Sequence, residues 1–582
     1  MDTVTRARFH LVLIKPSHYD DDGYIIQWRR SGMPSNSLAA VFGLAMDCAQ
    51  RQVLGAGTDI TVAPYDETNT RIRPERIARE IIAAGGGMVG LVGVQSNQYP
   101  RAMDLARRFR GLGVDVVIGG FHVSGTLSML PEITPELQEA IDLGIVLYAG
   151  EAENGLEVLL KDAAAGRLKP IYNHMKDLPN LAGVPIPFLP EDRIRRTSGT
   201  VTTFDAGRGC PFQCSFCTII NVQGRKSRWR TPDDVEAIVR LNAAQGVQSF
   251  FITDDNFARN KNWEAIFDRL IDLRERQGFR LKFTIQVDTL AHRIPHFIQK
   301  AGRAGVVRVF IGLESINPES LVAAKKKQNR ITEYRDMLLA WKAIRVVIWA
   351  GYIIGFPADT PETVLRDIGI IQRELPIDFL EFFVLTPLPG SEDHQKLALA
   401  ATEMDADLNR YDTFHVVTGH PHMSREQWER IYWQAWEAYY TVAHMETLMR
   451  RAAATGISLG KMLNMLVSFW GLSVVERTHP LEGGYGRVKV RTDRRPGLPI
   501  VPAWRFWPVY GATTFVKMSR IALMVARFIR LRHQLKRDPQ ARLYRDLALT
   551  PVVEDRSLEL FTATEAAITA AAKRKRFVTV EA

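Results

Sequence analysis

The sequence predicts an α/β chain in three parts: a doubly wound parallel sheet, then a partial (β/α)6 barrel, then a mostly helical region. Three observations predict it. Apolar strand candidates alternate with helical patterns through the first 165 residues, and a second alternating series of six βα units runs from about 201 to 390. Beyond about 400 the pattern turns mostly helical. At 582 residues the chain exceeds a single core, and its composition (46% hydrophobic, 24% charged) excludes disordered, collagen-like and polytopic membrane classes.

In the first series the strand candidates are Phe9–Lys15, Ile60–Pro64, Met88–Val94, Val114–Gly119 and Ile145–Ala149, with Arg101–Leu112 among the intervening helices. Ligands on such sheets sit at the carboxyl ends of the strands. Those ends carry Pro16-Ser17-His18, Gln95-Ser96-Asn97, Gly119-Gly120-Phe121-His122 and Gly150-Glu151, with paired glycines that let a ligand approach the backbone. A Pro-rich connector, Leu178 to Pro190, marks a boundary. The barrel strands are expected near Thr202–Ala206, Ser249–Thr253, Lys282–Val287, Val307–Gly312, Ile348–Ile354 and Phe379–Leu385. Further on, Gln427–Tyr440 stacks six aromatic residues at helical spacing, most simply a core face.

Three of the four cysteines fall within eight residues, Cys210, Cys214 and Cys217, on the loop after the first barrel strand. Three thiolates on a short loop can bind three irons of a [4Fe–4S] cluster and leave the fourth iron open to a ligand. A structural zinc site closes its tetrahedron with four protein ligands, and no fourth cysteine or histidine lies nearby in sequence. Cys48, the remaining cysteine, reads as a small buried hydrophobe.

Cys-x3-Cys-x2-Cys after the first strand resembles the radical S-adenosylmethionine (SAM) superfamily. The segments 252–257 (ITDDNF), 286–288 (QVD), 310–315 (FIGLES), 351–357 (GYIIGFP) and 385–390 (LTPLPG) resemble successive strand motifs of its branch with an N-terminal cobalamin-binding domain. The resemblance covers roughly residues 1 to 400. It implies a Rossmann-like cobalamin-binding domain at 1–175, a linker at 176–199, a radical SAM barrel at 200–400 and a helical, basic C-terminal region at 401–582. Cys210, Cys214 and Cys217 would hold the cluster, with Phe216 between them in the loop. Asp254 and Asp255 match the region contacting the SAM amino group, and Gln286 lies in the third-strand motif. Glu314 and Ser315 match the region near ribose and methionine, and Gly351, Ile353 and Gly355 the stretch beside adenine. Gln95, Ser96, Gly119, Gly120 and Gly150 would hold cobalamin through shape and backbone contacts. The histidine of the usual Asp-x-His-x-x-Gly loop is missing, so neither His18 nor His122 is expected to ligate cobalt.

The implied activity is methyl transfer to an unactivated carbon, with the cluster, SAM and cobalamin as cofactors. A cyclisation or rearrangement on the same cofactors stays open, as does a cobalamin-binding sensor with a structural metal. The cysteine count leaves too few thiols for an auxiliary cluster, for a pair of catalytic cysteines or for a methylthio-transferring N-terminal set. Expected partners are a small-molecule or lipid-like substrate and a reductant protein of flavodoxin or ferredoxin type.

The start, MDTVTRARFHLVLIKPSHYDDD, has too short an apolar stretch for a secretory leader. The longest apolar run, Met462 to Val475, has 14 residues where a spanning helix needs about 20. A cytoplasmic location is expected. From Thr478 onward 20 Lys/Arg face 9 Asp/Glu, an excess equal to the whole net charge of +11. No nucleic-acid signature accompanies that charge, and no nucleic acid is expected as a partner. Between Ala512 and Arg537, Met518, Ile521, Val525, Phe528 and Ile529 share a helical face opposed by Arg520, Arg527, Arg530 and Arg537. Such a helix packs on its own protein or lies on an anionic membrane.

Overall fold

A computed structural model describes residues 7–199, 201–550 and 558–580, with side chains to Arg574. Met1–Arg6, the start of the segment read against a leader, and Thr200, the first residue expected in the barrel, lie outside the described residues.

The first sheet is fully parallel. Its strands are β1 (Ala7–Lys15), β2 (Thr58–Asp66), β3 (Gly87–Leu91), β4 (Asp115–Gly119), β5 (Val146–Ala149) and β6 (Ile171–Asn173), in the order β2-β1-β3-β4-β5-β6. Five of these match the expected strands and β6 adds a sixth. β6 has three residues, too few to show a hydrophobic period. Val12, Ile14, Val89, Leu91, Val116 and Ile118 turn to one face, under the helices Pro74–Ala83 and Tyr99–Gly111. The reversal of strand order lies between β1 and β3, where a doubly wound sheet opens its ligand crevice.

The second sheet is also parallel: β7 (Val201–Phe204), β8 (Ser249–Ile252), β9 (Lys282–Val287), β10 (Val306–Glu314), β11 (Val347–Ile354) and β12 (Phe379–Val384) are paired in chain order. All six were expected, within two residues at each end. Pairing stops at β7 and β12, so the barrel is partial. The helix Arg425–Tyr439 covers β11 and β12: Trp436 packs edge-on against Phe382, and Trp428 donates its indole N–H to the carbonyl of Ile354 at 3.1 Å.

The C-terminal region is interleaved with the rest. Gly484–Val488 pairs antiparallel with Gln27–Ser31 of the N-terminal part, a pairing 450 residues apart that no local pattern announced. The helix Ala503–Arg537 continues for 35 residues. Phe528 is buried, while Ile521 and Val525 are half-buried against the core. The apolar face read from sequence therefore largely packs on the protein itself, although Met518 and Ile529 stay exposed. No helix among the described residues is long and apolar enough to cross a membrane.

Candidate active site

The cysteine loop leaves β7 and is gathered by a two-residue antiparallel pairing of Gly207–Arg208 with Arg228–Trp229. Gly209 starts the loop at φ +89°, where a Cβ would lie 2.5 Å from the carbonyl oxygen of Lys226. Only glycine fits there. The Cys210 N–H donates to Gly224 O at 3.2 Å and the Cys217 N–H to Cys214 O at 3.2 Å, so the backbone fixes where the thiols start. Behind the loop, Ser215 is pinned by Ala324 O to its N–H and by Asp393 at 3.1 Å to its hydroxyl.

Burial pushes the Cys210 thiol up to about 11 and the Cys217 thiol up to about 12, with the Asp255 carboxylate adding to both. Thiols in such a place ionise only beside a strong positive charge, which iron provides. In a [4Fe–4S] site each of the three thiolates takes a separate iron. The donor set fits a cluster.

Around the thiols the structure assembles groups from distant strands. Phe216 packs on a small apolar cluster of Ala324, Ile353 and Phe356, joining two of the expected residues in one wall. Lys326, which the sequence reading passed over, is buried with its ammonium 5.7 Å from the Phe216 ring centre and paired with Glu314. Burial opposes its charge, but Glu314 and Cys214 outweigh that and hold its pKa above the ordinary lysine value. Gln328 donates to Cys214 Sγ at 3.5 Å. In the sequence Lys326 sits in Lys325-Lys326-Lys327, which looks like solvated charge; only the fold turns the middle residue inward. Glu314 itself adopts φ +62°, a left-handed conformation at the end of β10.

The acidic pair after β8 divides its work. Asp254 accepts from the N–H groups of Ala206 and Gly207 at 2.7 and 2.8 Å and from Asn260 at 2.9 Å, so its carboxylate braces the turn under the cysteine loop. Asp255 is the member that faces the thiols. Burial, then the neighbouring Asp254, raises it to about 7. Gln286 donates to the Asp254 carbonyl at 3.2 Å, and Ser315 caps its own turn by accepting from the Asn317 N–H. Gly351 lies on the inner face of β11, where a Cβ would sit 3.1 Å from Phe310 and 3.3 Å from Phe383. Gly355 has φ +113°, and a Cβ there would lie 1.9 Å from the Trp428 ring, so packing alone already requires a glycine.

Across from the loop stand the carboxyl ends of β3, β4 and β5. Gly120 (φ +149°) and Gly150 (φ +99°) pack on protein backbone, their Cβ positions 2.1 Å from Val94 N and 2.7 Å from the His174 carbonyl carbon. Gly119 carries its carbonyl to the Val94 N–H at 3.0 Å. Close backbone packing requires glycine at Gly120 and Gly150, whereas a Cβ on Gly119 would lie 3.3 Å from the Tyr148 carbonyl oxygen. Gln95 is exposed, whereas Ser96 is buried with its hydroxyl 3.2 Å from His122 Nδ1. Burial drives His122 down to about 3. His18 lies 3.1 Å from Glu482.

The two parts meet tightly. Gly125 and Gly390 cross so closely that a Cβ on Gly390 would lie 2.9 Å from the Gly125 Cα. Glu151 and Glu153, just after β5, clasp Arg208 at 2.6 and 2.7 Å, and Arg208 also reaches Asp205 at 3.1 Å. Arg228 completes the pairing with Glu151. Arg208 is two residues before Cys210, so this ion network ties the cysteine loop to the N-terminal sheet.

Residues 205–370 match the Radical SAM superfamily. Among similar proteins, the bacteriochlorophyllide d C-12(1)-methyltransferase of Chlorobaculum tepidum is 27% identical over 319 residues, covering 54% of this chain and 66% of that protein. The hopanoid C-2 methylase of Rhodopseudomonas palustris is 24% identical, covering 56% and 62%. The chain thus spans about two thirds of the length of these relatives. Among solved structures, the radical SAM methyltransferase TsrM of Kitasatospora setae with cobalamin and [4Fe–4S] cluster bound superposes with a TM-score of 0.56 at 16% identity, over 77% of this chain and 95% of that one. The cobalamin-dependent radical enzyme OxsB gives 0.52 at 12% identity, over 98% and 84%. These likenesses show a shared fold: a doubly wound sheet, a six-stranded partial barrel and a helical C-terminal part. With its three-thiol loop at the mouth of that barrel, the segment 205–370 carries a radical SAM domain.

Proposed function

We propose that the enzyme is a cobalamin-dependent methyltransferase acting on an unactivated carbon of a small, hydrophobic or lipid-like molecule. The observation that carries the reading is the direct apposition of the three-thiol loop and the crevice side of the N-terminal sheet, held by the Gly125–Gly390 crossing and the Arg208 network. When bound, the cluster and SAM supply the hydrogen-abstracting radical and cobalamin supplies the methyl group.

The chain's own residues then bind and orient. Cys210, Cys214 and Cys217 hold the cluster, and Phe216 with Ile353 walls one side of the SAM site. Asp255 faces the place for the SAM amino group, the Lys326–Glu314 pair borders it, and Gly351 and Gln286 line the inner barrel face. Ser315 and Gly355 shape the strand ends beside it. Gln95, Ser96, Gly119, Gly120 and Gly150 form the backbone rim on the cobalamin side. Packing of the helix Arg425–Tyr439 on β11 and β12 keeps water from that side of the barrel. A flavodoxin- or ferredoxin-type protein is the proposed electron donor.

The named relatives modify a bacteriochlorophyllide and a hopanoid, which favours a hydrophobic substrate here. Anaerobic reconstitution with iron, sulfide, cobalamin and SAM, followed by reduction with dithionite, tests the reading. The expected products are 5′-deoxyadenosine and a substrate heavier by one methylene. Deoxyadenosine with an unmethylated, cyclised product would replace methyl transfer by ring closure; no deoxyadenosine from a loaded enzyme would end both.

A further inference from the structure

The helix Ala503–Arg537 carries a second apolar face that the described residues leave uncovered. Trp504, Phe515 and Leu523 are 78%, 74% and 72% exposed, and Trp507, Val516 and Met518 are exposed as well. Trp504, Trp507, Phe515 and Met518, with the small Gly511 between, recur at three- and four-residue spacing along one stripe. The opposite side is firmly seated. Phe506, Phe528 and Leu531 are buried, and Phe506 packs 5.7 Å from Tyr24 of the N-terminal part.

The charge is one-sided too. Between Val501 and Arg537 there are eight Lys/Arg and no Asp/Glu. Lys517 and Arg527 pair with Glu476 and Glu446 at 2.7 and 2.9 Å. Arg505, Arg520 and Arg530 are exposed and carry no carboxylate partner among the described residues. Exposed tryptophans, a bare apolar stripe and uncompensated arginines together are the chemistry of a helix lying in the headgroup layer of an anionic bilayer. The helix is not apolar enough to cross one. A second copy is a poor occupant, since facing helices would bring like charges together with no acid to offset them.

We infer that the outer face of Ala503–Arg537 docks the enzyme on the surface of an anionic lipid bilayer. This docking is a property of the helix and stands apart from the proposed methyl transfer. The test uses the full-length protein in flotation with phosphatidylcholine vesicles, with and without phosphatidylglycerol. Flotation with the anionic vesicles, weakened by added salt and accompanied by a blue shift of tryptophan emission, is the expected result. Trp504→Ala/Trp507→Ala/Phe515→Ala should keep the circular dichroism of the parent and lose at least about tenfold in partitioning. If that variant misfolds, Arg520→Glu/Arg530→Glu, which leaves the apolar stripe intact, should show the same loss. Absence of flotation with anionic vesicles overturns the inference. So does unchanged partitioning of a folded variant, or a dimer in solution that these substitutions convert to monomer while vesicles stay empty.

Discussion

At the residue scale, chemistry and structure are carried by neighbours that sequence treats alike. Asp254 and Asp255 are adjacent acids, yet one braces the turn below the cysteine loop and the other faces the thiols. Exchanging them for Asn separates the roles. Asp254→Asn, which keeps an oxygen for the Ala206 and Gly207 N–H groups but sets a second donor against the Asn260 amide, should lower the unfolding free energy by roughly 1–3 kcal/mol in denaturant melts. Asp255→Asn removes a carboxylate that burial and Asp254 disfavour, so it should not lower the unfolding free energy and should instead weaken SAM binding to reconstituted enzyme, read by calorimetry. A different buried acid, Glu381 on β12, has no hydrogen-bond partner at either oxygen among the described residues, and burial raises it to about 8. Its folded pKa lies above its unfolded one. The stability it contributes is therefore full below about 4.5 and is lost as pH rises through about 8. Glu381→Gln should flatten that decline, worth on the order of a few kcal/mol at high pH, in unfolding midpoints taken across the range.

At the scale of elements, glycines report where backbone and side chains crowd. Gly355 ends β11 against the Trp428 ring, so the helix Arg425–Tyr439 can seat only over a residue without a Cβ. Gly355→Ala combines a left-handed φ with overpacking and should destabilise by about 2–4 kcal/mol in thermal or denaturant unfolding. The cysteine loop is another such element. Its capacity for a cluster depends on the three thiols, so Cys214→Ala should fold and lose the iron–sulfur absorption after reconstitution.

Across the whole molecule, the N-terminal sheet and the barrel are coupled through buried charge. Arg208 sits among Asp205, Glu151 and Glu153, and burial would oppose its charge if those carboxylates did not hold its pKa well above the ordinary arginine value. Removing one member of such a group strands the rest. Arg208→Met should cost about 3–5 kcal/mol and, in hydrogen exchange, free the cysteine loop and the residues after β5 together. Exchange confined to one side would mean that the network does not couple them.

The legible part of this protein was local. Strand alternation, the Cys210–Cys214–Cys217 spacing and the six βα units each repeat within a few dozen residues, so their physical signature survives in one dimension. Boundaries drifted by one to three residues because frayed ends carry little hydrophobic signal, and β6 was too short to show a period. What only the tertiary structure decided depends on pairings far apart in the chain. Lys326 turned inward because Glu314 and the thiols wait there, and Gly484–Val488 closed on Gln27–Ser31. Gly120 and Gly150 pack directly on the backbone of Val94 and His174. The helix Ala503–Arg537 packed Ile521, Val525 and Phe528 of the face that sequence singled out and left Met518, Ile529 and a neighbouring stripe bare. A helix has as many faces as its sequence allows, and burial selects among them only when the neighbours arrive.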